Sequence, residues 1–210
     1  MGESALKIAL TGAMGSGKSL VAELFREQGA RTIDADQVSR RLLMPAAAGW
    51  CALRAEFGDR FFTADLTVDR QKLRAAIFSD EALRKKINAI LHPLIRQAIV
   101  DLCREKVGLK GDSADSAGRP PITVVEVPLL FEVGWQNDFD LVIAVTADED
   151  ICLDRIVRRD QVARPAALAA FATQMSPAEK AAMADYLIDN SGSLEATARQ
   201  VRELYAILIA

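Results

Sequence analysis

The chain is poor in the side chains that build metal centres and disulfide frameworks. Its 210 residues include one histidine, His92, and three cysteines, Cys51, Cys103 and Cys152. A lone histidine leaves no His-based metal centre. An odd number of cysteines, at spacings that fit no ligand pattern, implies reduced thiols in a reducing compartment. Charge of either sign is not in large excess: the net charge is −3 and the isoelectric point is about 5.3. With no long basic stretch, neither a nucleic-acid partner nor an anionic membrane surface is expected, although basic residues can still gather around an anionic substrate. No apolar run approaches the ~18 residues that a membrane span needs. The first residues carry no signal-peptide core, and "MGESAL" has Leu6 where a myristoylation signal has Ser or Thr. We therefore expect a soluble, cytoplasmic protein. Internal repeats are also missing, and only residues 108–121, "GLKGDSADSAGRPP", are polar enough to read as a surface connection without a function of its own.

Half of the residues are hydrophobic, enough for one sizeable core with a small appended lobe. Short apolar runs read as strands at "LKIALT", "ARTIDAD", "ITVVEV", "FDLVIAVT" and "DYLIDN". Helical patterns lie between them. In "SLVAELFREQ", for example, Val21, Leu24 and Phe25 share one face and Gly29 is placed to stop the helix. This alternation predicts an α/β fold, a parallel sheet of about five strands covered by helices on both faces, with its binding site beyond the C-terminal strand ends. Residues 45–106 depart from the alternation. Helical segments such as "DRQKLRAAIF", "EALRKKINAIL" and "PLIRQAIVDLCREK" dominate there, and Pro93 has helix-start character. We read this stretch as a helical lobe inserted into a single domain spanning 1–210.

The most informative stretch follows the first strand. "GAMGSGKS" contains Gly12, Gly17, Lys18 and Ser19 in the pattern G-x-x-x-x-G-K-[S/T]. Glycines permit the backbone torsions by which successive N–H groups line a concavity, and the following helix adds its positive end. Such a loop holds a nucleoside triphosphate, with the lysine reaching the β- and γ-phosphates and the hydroxyl of Ser19 on Mg²⁺. The sheet is then of the P-loop NTPase type. A guanine-reading N-K-x-D stretch is absent, and the length leaves little room for motor machinery, so a small-molecule kinase is favoured.

Further residues cluster after the other strands. Asp34 and Asp36 follow the second strand. On an extended segment they would point the same way, and one could accept a proton from an acceptor hydroxyl. Asp36 is equally placed to cap the helix beginning "QVSRRLL". Glu126, late in the third strand, is a candidate for holding Mg²⁺ directly or through water, or else a partly exposed strand residue; Glu132 lies a few residues on. His92 and Arg96 in "LHPLIR" fit either a structural hydrogen bond and a solvated helix or an acceptor site. Arg155, Arg158, Arg159 and Arg164 lie in "DRIVRRDQVARP". Arg155 and Arg159, four apart, share a helix face from which they could clamp a transferring phosphate, although such runs are often solvated.

Taken in order, "LTGAMGSGKS", "TIDAD", "LHPLIR", "VPLLFE", "RIVRRD" and "ADYLIDNSGS" resemble the dephospho-coenzyme A kinases nearly end to end. The resemblance implies ATP and Mg²⁺, phosphorylation of the ribose 3′-hydroxyl of dephospho-coenzyme A, and a monomer or weak oligomer. It implies Asp36 as the base, Lys18, Arg155 and Arg159 as charge-stabilising groups, and Ser19 with Glu126 at the metal. ATP would contact Gly12, Ala13, Met14, Gly15, Ser16, Gly17, Lys18, Ser19 and Leu20, with Asn190 toward the adenine. Dephospho-coenzyme A would meet Asp36, Arg40, His92, Arg96, Pro128 and Leu129. The 45–106 lobe would be the coenzyme A lobe, and residues from about 155 to 180 a lid. The chain departs from the family pattern at Ala13, commonly Gly, at Met14, commonly Ile, and at Leu20, commonly Ser or Thr. The polar insert near 112–118 is longer than the pattern. Ala13 is tolerable only with negative φ. Another small-molecule kinase of this architecture, for a nucleoside monophosphate or a sugar acid, and an ATP-sensing regulator without catalysis are the competing readings.

Overall fold

The structure, a computed structural model, describes residues 5–105 and 121–210. Of the 108–121 connection singled out above, residues 108–120 lie outside the described residues. The chain divides into two compact units, Met1–Ile33 with Lys106–Ala210, and Asp34–Glu105.

The first unit is built on a five-stranded sheet in the order β2-β3-β1-β4-β5. Its strands are β1 (Leu6–Gly12), β2 (Arg31–Asp34), β3 (Ile122–Glu126), β4 (Leu141–Thr146) and β5 (Tyr186–Asp189). All five strand runs read from the sequence are present. β1, the middle strand, pairs in parallel with β3 and β4, and β4 pairs in parallel with β5. Strands covered on both faces need apolar side chains on both, which is why "KIAL" and "LVIAV" are continuous rather than alternating. Ile8, Leu10, Val124, Ile143, Val145 and Ile188 form one core with Val21, Ala22, Leu24 and Phe25 of α1 (Lys18–Glu27) and Val201 and Leu204 of α9 (Leu194–Leu208). At about 1.5–3 kcal/mol per large apolar side chain, this core anchors the strand ends from which the site is built. α1 stops where expected: Gly29 has φ 101, a conformation that favours glycine beyond a helix end.

The parallel register places the strand ends together. Leu10 is opposite Glu126, and Gly12 is opposite Val145. The glycine loop, Glu126 and the end of β5 therefore share one edge of the sheet. Helices α6 (Glu149–Asp160), α7 (Arg164–Phe171) and α8 (Pro177–Met183) follow β4. α6 and α7 bury Cys152, Leu153, Ile156, Ala167 and Phe171 in a smaller core that includes Ala13 and is flanked by Met14 of the loop.

The second unit is helical: α2 (Ala35–Leu42), α3 (Ala48–Phe57), α4 (Arg70–Ser79) and α5 (Glu81–Arg104). It begins at Asp34, earlier than the change in composition near residue 45, because α2 packs on α5. Its core is Leu53, Phe61, Phe62, Leu73, Leu83, Ile87 and Leu91, rimmed by Trp50 and Phe57. Trp50 meets Phe62 edge-on at 5.4 Å between centroids, and its indole N–H donates to the Leu66 carbonyl at 2.7 Å.

Two local expectations are corrected here. Pro93 does not begin a helix; it lies inside α5. A proline in a helix interior removes a backbone donor and costs about 3 kcal/mol. The turns around it bury Leu83, Ile87, Leu91 and Ile99, a stripe strong enough to carry the helix through. Asp34 and Asp36 do not project from one extended segment. The strand ends at Asp34, whose carboxylate accepts from the N–H groups of Asp36 (2.8 Å) and Gln37 (3.1 Å) as the N-cap of α2. The cap is thus Asp34, and Asp36 stands exposed in the first helical turn.

Candidate functional site

The loop between β1 and α1 is held open by glycine and by side chains that seize its carbonyls. Gly17, the N-cap of α1, has φ 93 and ψ 30, and a Cβ there would lie 2.1 Å from Asn190 Nδ2. Gly15 has φ 80, and a Cβ would lie 2.5 Å from the Cys152 carbonyl oxygen. No other residue type fits either position without moving buried neighbours. The departure at Ala13 is harmless: it is buried, and its φ is not positive.

Three side chains fix the carbonyls of Gly12, Ala13, Gly15 and Ser16. Lys18 Nζ donates to the carbonyls of Gly12 and Ala13, each at 3.0 Å. Arg155 Nη1 donates to those of Gly15 (3.2 Å) and Ser16 (3.3 Å), and Nη2 to that of Asn190 (3.0 Å). Asn190 Nδ2 donates to Ser16 O at 2.7 Å, while its Oδ1 accepts from Thr197 Oγ1 at 3.0 Å. At the loop tip, Met14 N–H donates to Gln174 Oε1 at 3.1 Å. With these carbonyls engaged and α1 starting at Lys18, the first-turn N–H groups have no intrahelical acceptor, so the loop and helix end favour an anion. Ser16 Oγ is buried with no hydrogen-bond partner among the described residues.

Ser19 Oγ donates to Glu126 Oε2 at 3.0 Å. The hydroxyl and the carboxylate assigned to a metal are therefore neighbours at the ends of α1 and β3. They are oxygen donors, the type that Mg²⁺ prefers, and too few to close its shell, as suits an ion that also binds substrate phosphates. No cluster of three or more His, Cys, Asp or Glu side chains able to hold a metal occurs among the described residues. These features fit a phosphate chain with its magnesium: a glycine loop braced against Cys152 and Asn190, a buried hydroxyl with no hydrogen-bond partner among the described residues, and a paired Ser–Glu donor set.

The remaining expected residues fall as follows. Arg155 and Arg159 both lie on α6, but their guanidinium groups do different things: Arg155 grips the loop from beneath, and Arg159 pairs with Asp160 at 2.7 and 2.8 Å. That hydrogen bond raises the Arg159 pKa further above its ordinary value. Arg164 pairs with Asp150 and Asp154. Asn190, expected toward an adenine, is 2% exposed, with both ends of its amide engaged under the loop. Leu20 is exposed on α1. The Pro128 carbonyl accepts from Thr11 Oγ1 at 3.3 Å, and the Leu129 side chain is exposed. In the helical unit, Arg40 is exposed on α2 and its carbonyl accepts from Arg70; His92 and Arg96 lie on α5, His92 partly buried and Arg96 exposed. Burial lowers the His92 pKa. Burial likewise raises that of Cys152 against the opposing pull of Arg155 and Lys18, leaving the thiol protonated and inert.

Sequence reasoning missed Thr11, Gln174 and Thr197. Thr11 and Gln174 act through contacts 117 and 160 residues away and Thr197 through Asn190, 7 residues back, and a single Thr or Gln carries no spacing that announces it.

Comparison with known proteins bears on the same site. The dephospho-CoA kinase family profile matches residues 6–196, from the start of β1 into α9. A dephospho-CoA kinase of Desulfotalea psychrophila is 41% identical over 197 residues, covering 93% of this chain and 94% of that protein. The crystal structure of TT1252 from Thermus thermophilus superposes with a TM-score of 0.79 at 29% identity, covering 99% of this chain and 100% of that one. A dephospho-CoA kinase from Campylobacter jejuni shares the fold, with a TM-score of 0.67 at 24% identity over 97% of this chain and 96% of that one. The matched span includes the loop, the Ser19–Glu126 pair and the arginine helix, and on that footing this chain belongs to the dephospho-CoA kinase family.

Proposed function

We propose that the protein transfers the γ-phosphoryl group of ATP to the ribose 3′-hydroxyl of dephospho-coenzyme A, giving coenzyme A and ADP in the last step of coenzyme A biosynthesis. A bond forms between the acceptor oxygen and the γ-phosphorus, and the bond from that phosphorus to the β–γ bridging oxygen breaks. The acceptor proton passes to Asp36, which is exposed and does not serve as the helix cap. The loop carries the reading: Arg155 and Asn190 hold the Gly15 and Ser16 carbonyls, so that part of the cradle is preorganised for an anion before one arrives.

Lys18 is bound to two carbonyl oxygens, which phosphate oxygens would replace, and it would carry its charge to the β- and γ-phosphates. Ser19 and Glu126 would hold Mg²⁺, which when bound neutralises charge on the phosphate oxygens. Arg155 supports the loop, and Arg159 is a charge available to the transferring group once it leaves Asp160. Arg40, His92, Arg96, Pro128 and Leu129 are the residues that the family resemblance implies for contact with dephospho-coenzyme A. Residues from about 155 to 180 act as a lid that keeps water from the phosphoryl group.

The test is ADP release with Mg·ATP, with and without dephospho-coenzyme A, repeated with the metal chelated. Release that needs both acceptor and metal is expected. Release indifferent to the acceptor, or equal with a nucleoside monophosphate or a sugar acid in its place, would overturn the assignment.

A further inference from the structure

Lys180 is the one lysine among the buried residues of the described chain, at 1% exposure. It stands on α8, whose start is fixed by a reciprocal cap: Ser176 Oγ accepts from the Glu179 N–H, and the Glu179 carboxylate accepts from the Ser176 N–H. From there Nζ donates to the Pro128 carbonyl at 2.7 Å and pairs with Glu132 Oε1 at 2.9 Å. The Met175 N–H donates to the same Glu132 oxygen at 3.1 Å. Glu132 is an exposed residue at the backbone, yet its side chain is only 23% exposed.

Burying an ammonium group is costly, and replacing both members of a buried ion pair by well-packed apolar side chains is often neutral or stabilising. Stability alone therefore does not explain the pair. What it does is pin both ends of the turn that follows β3. Pro128 is held from one side by Lys180 and from the other by Thr11, the residue before the glycine loop. A rigid turn is what an exposed contact residue such as Leu129 needs to meet a ligand in one place.

We propose that Lys180 is a positioning residue for the acceptor: through the Pro128 carbonyl and the Glu132 carboxylate it fixes the 128–132 turn against which dephospho-coenzyme A binds. This rests on the proposed function, in which Pro128 and Leu129 face the acceptor. Lys180 touches neither nucleotide nor acceptor. Its loss changes acceptor binding while leaving the nucleotide cradle as it is.

The test is steady-state kinetics with each substrate varied. Lys180→Met raises the KM for dephospho-coenzyme A by about tenfold or more and leaves the KM for ATP within about twofold. The double variant K180M/E132Q removes the stranded carboxylate charge. It recovers the wild-type unfolding temperature but keeps the raised acceptor KM. Recovery of both would make the pair structural only and overturn the proposal. Where Lys180→Met fails to fold, Thr11→Val removes the other bond to the Pro128 carbonyl in a nearly isosteric way. A rise of about two- to threefold in acceptor KM supports the proposal, and an unchanged acceptor KM overturns it. Leu129→Ala separates the two layers. If it leaves acceptor KM unchanged, the turn does not face the acceptor and that part of the functional reading fails. If it raises acceptor KM while the Lys180 and Thr11 variants do not, the positioning proposal alone fails.

Discussion

In the sheet-based unit, one short loop is tied from every side. Lys18, Arg155 and Asn190 take its carbonyls, Gln174 takes an N–H at its tip, and Cys152 and Asn190 lie against its glycines. In the helical unit the arrangement is reversed. Its core of Leu53, Phe61, Phe62, Leu73, Leu83, Ile87 and Leu91 is tight, but Asp36, Arg40 and Arg96 ride on exposed faces above that core. Charge stabilisation needs donors that do not reorganise during the reaction, so it sits on braced backbone. In the proposed function, acceptor recognition and proton removal fall instead to exposed side chains carried by a packed scaffold.

The largest expected effect tests the braced side. Lys18→Ala removes a charge at the transferring phosphate and lowers kcat by about 10³-fold or more, with the fold intact by circular dichroism. Activity within tenfold of wild type would mean that the loop does not carry the phosphate charge.

Next comes the exposed side. Asp36→Asn lowers kcat by about 10²–10⁴-fold, the range for a lost general base, with little change in thermal unfolding. Asp34→Ala does the opposite: it removes two cap hydrogen bonds and about 1 kcal/mol of stability while sparing kcat at temperatures where the variant is folded. Equal kcat losses in both variants would erase the distinction between cap and base.

Gly17→Ala is a smaller change with a local cause. A Cβ at φ 93, 2.1 Å from Asn190 Nδ2, adds about 1–2 kcal/mol of backbone strain and displaces the amide. We expect ATP affinity to fall by about tenfold, measured by calorimetric titration. Asn190→Ala in the same chain relieves the clash but not the strain and recovers only part of the loss.

The smallest effect concerns pH. Burial holds the His92 pKa below its ordinary value of about 6.5, so the unfolded chain takes up this proton more readily than the folded one. The contribution to stability is complete above about pH 6.5 and is lost as pH falls through that value toward the lower folded pKa. In urea unfolding between neutral and mildly acidic pH, His92→Gln should lose less stability than wild type. A parallel loss in both would show that His92 is not the titrating group.

What the sequence revealed follows the same division. The sheet was legible because each strand is a continuous apolar run, and the loop because its glycines, lysine and serine are contiguous. Asp34 and Asp36 were found, but not that Asp34 is the cap: this depends on the chain turning from strand to helix at residue 35, two positions earlier than an extended reading through Asp36 assumes. Pro93 misled because local preference was overridden by a buried stripe. Lys180 was invisible, since "PAEKAAM" reads like any solvated helix until Pro128 and Glu132, about fifty residues back, come to meet it.

The most direct test of the central claim is the identity of the product. After incubation with Mg·ATP and dephospho-coenzyme A, mass spectrometry and phosphorus resonance should show one added phosphoryl group, as a monoester on the ribose 3′-oxygen, formed mole for mole with ADP and about 10²–10⁴-fold more slowly by Asp36→Asn. A product phosphorylated elsewhere, or ADP formed alongside inorganic phosphate with the acceptor unchanged, would contradict it.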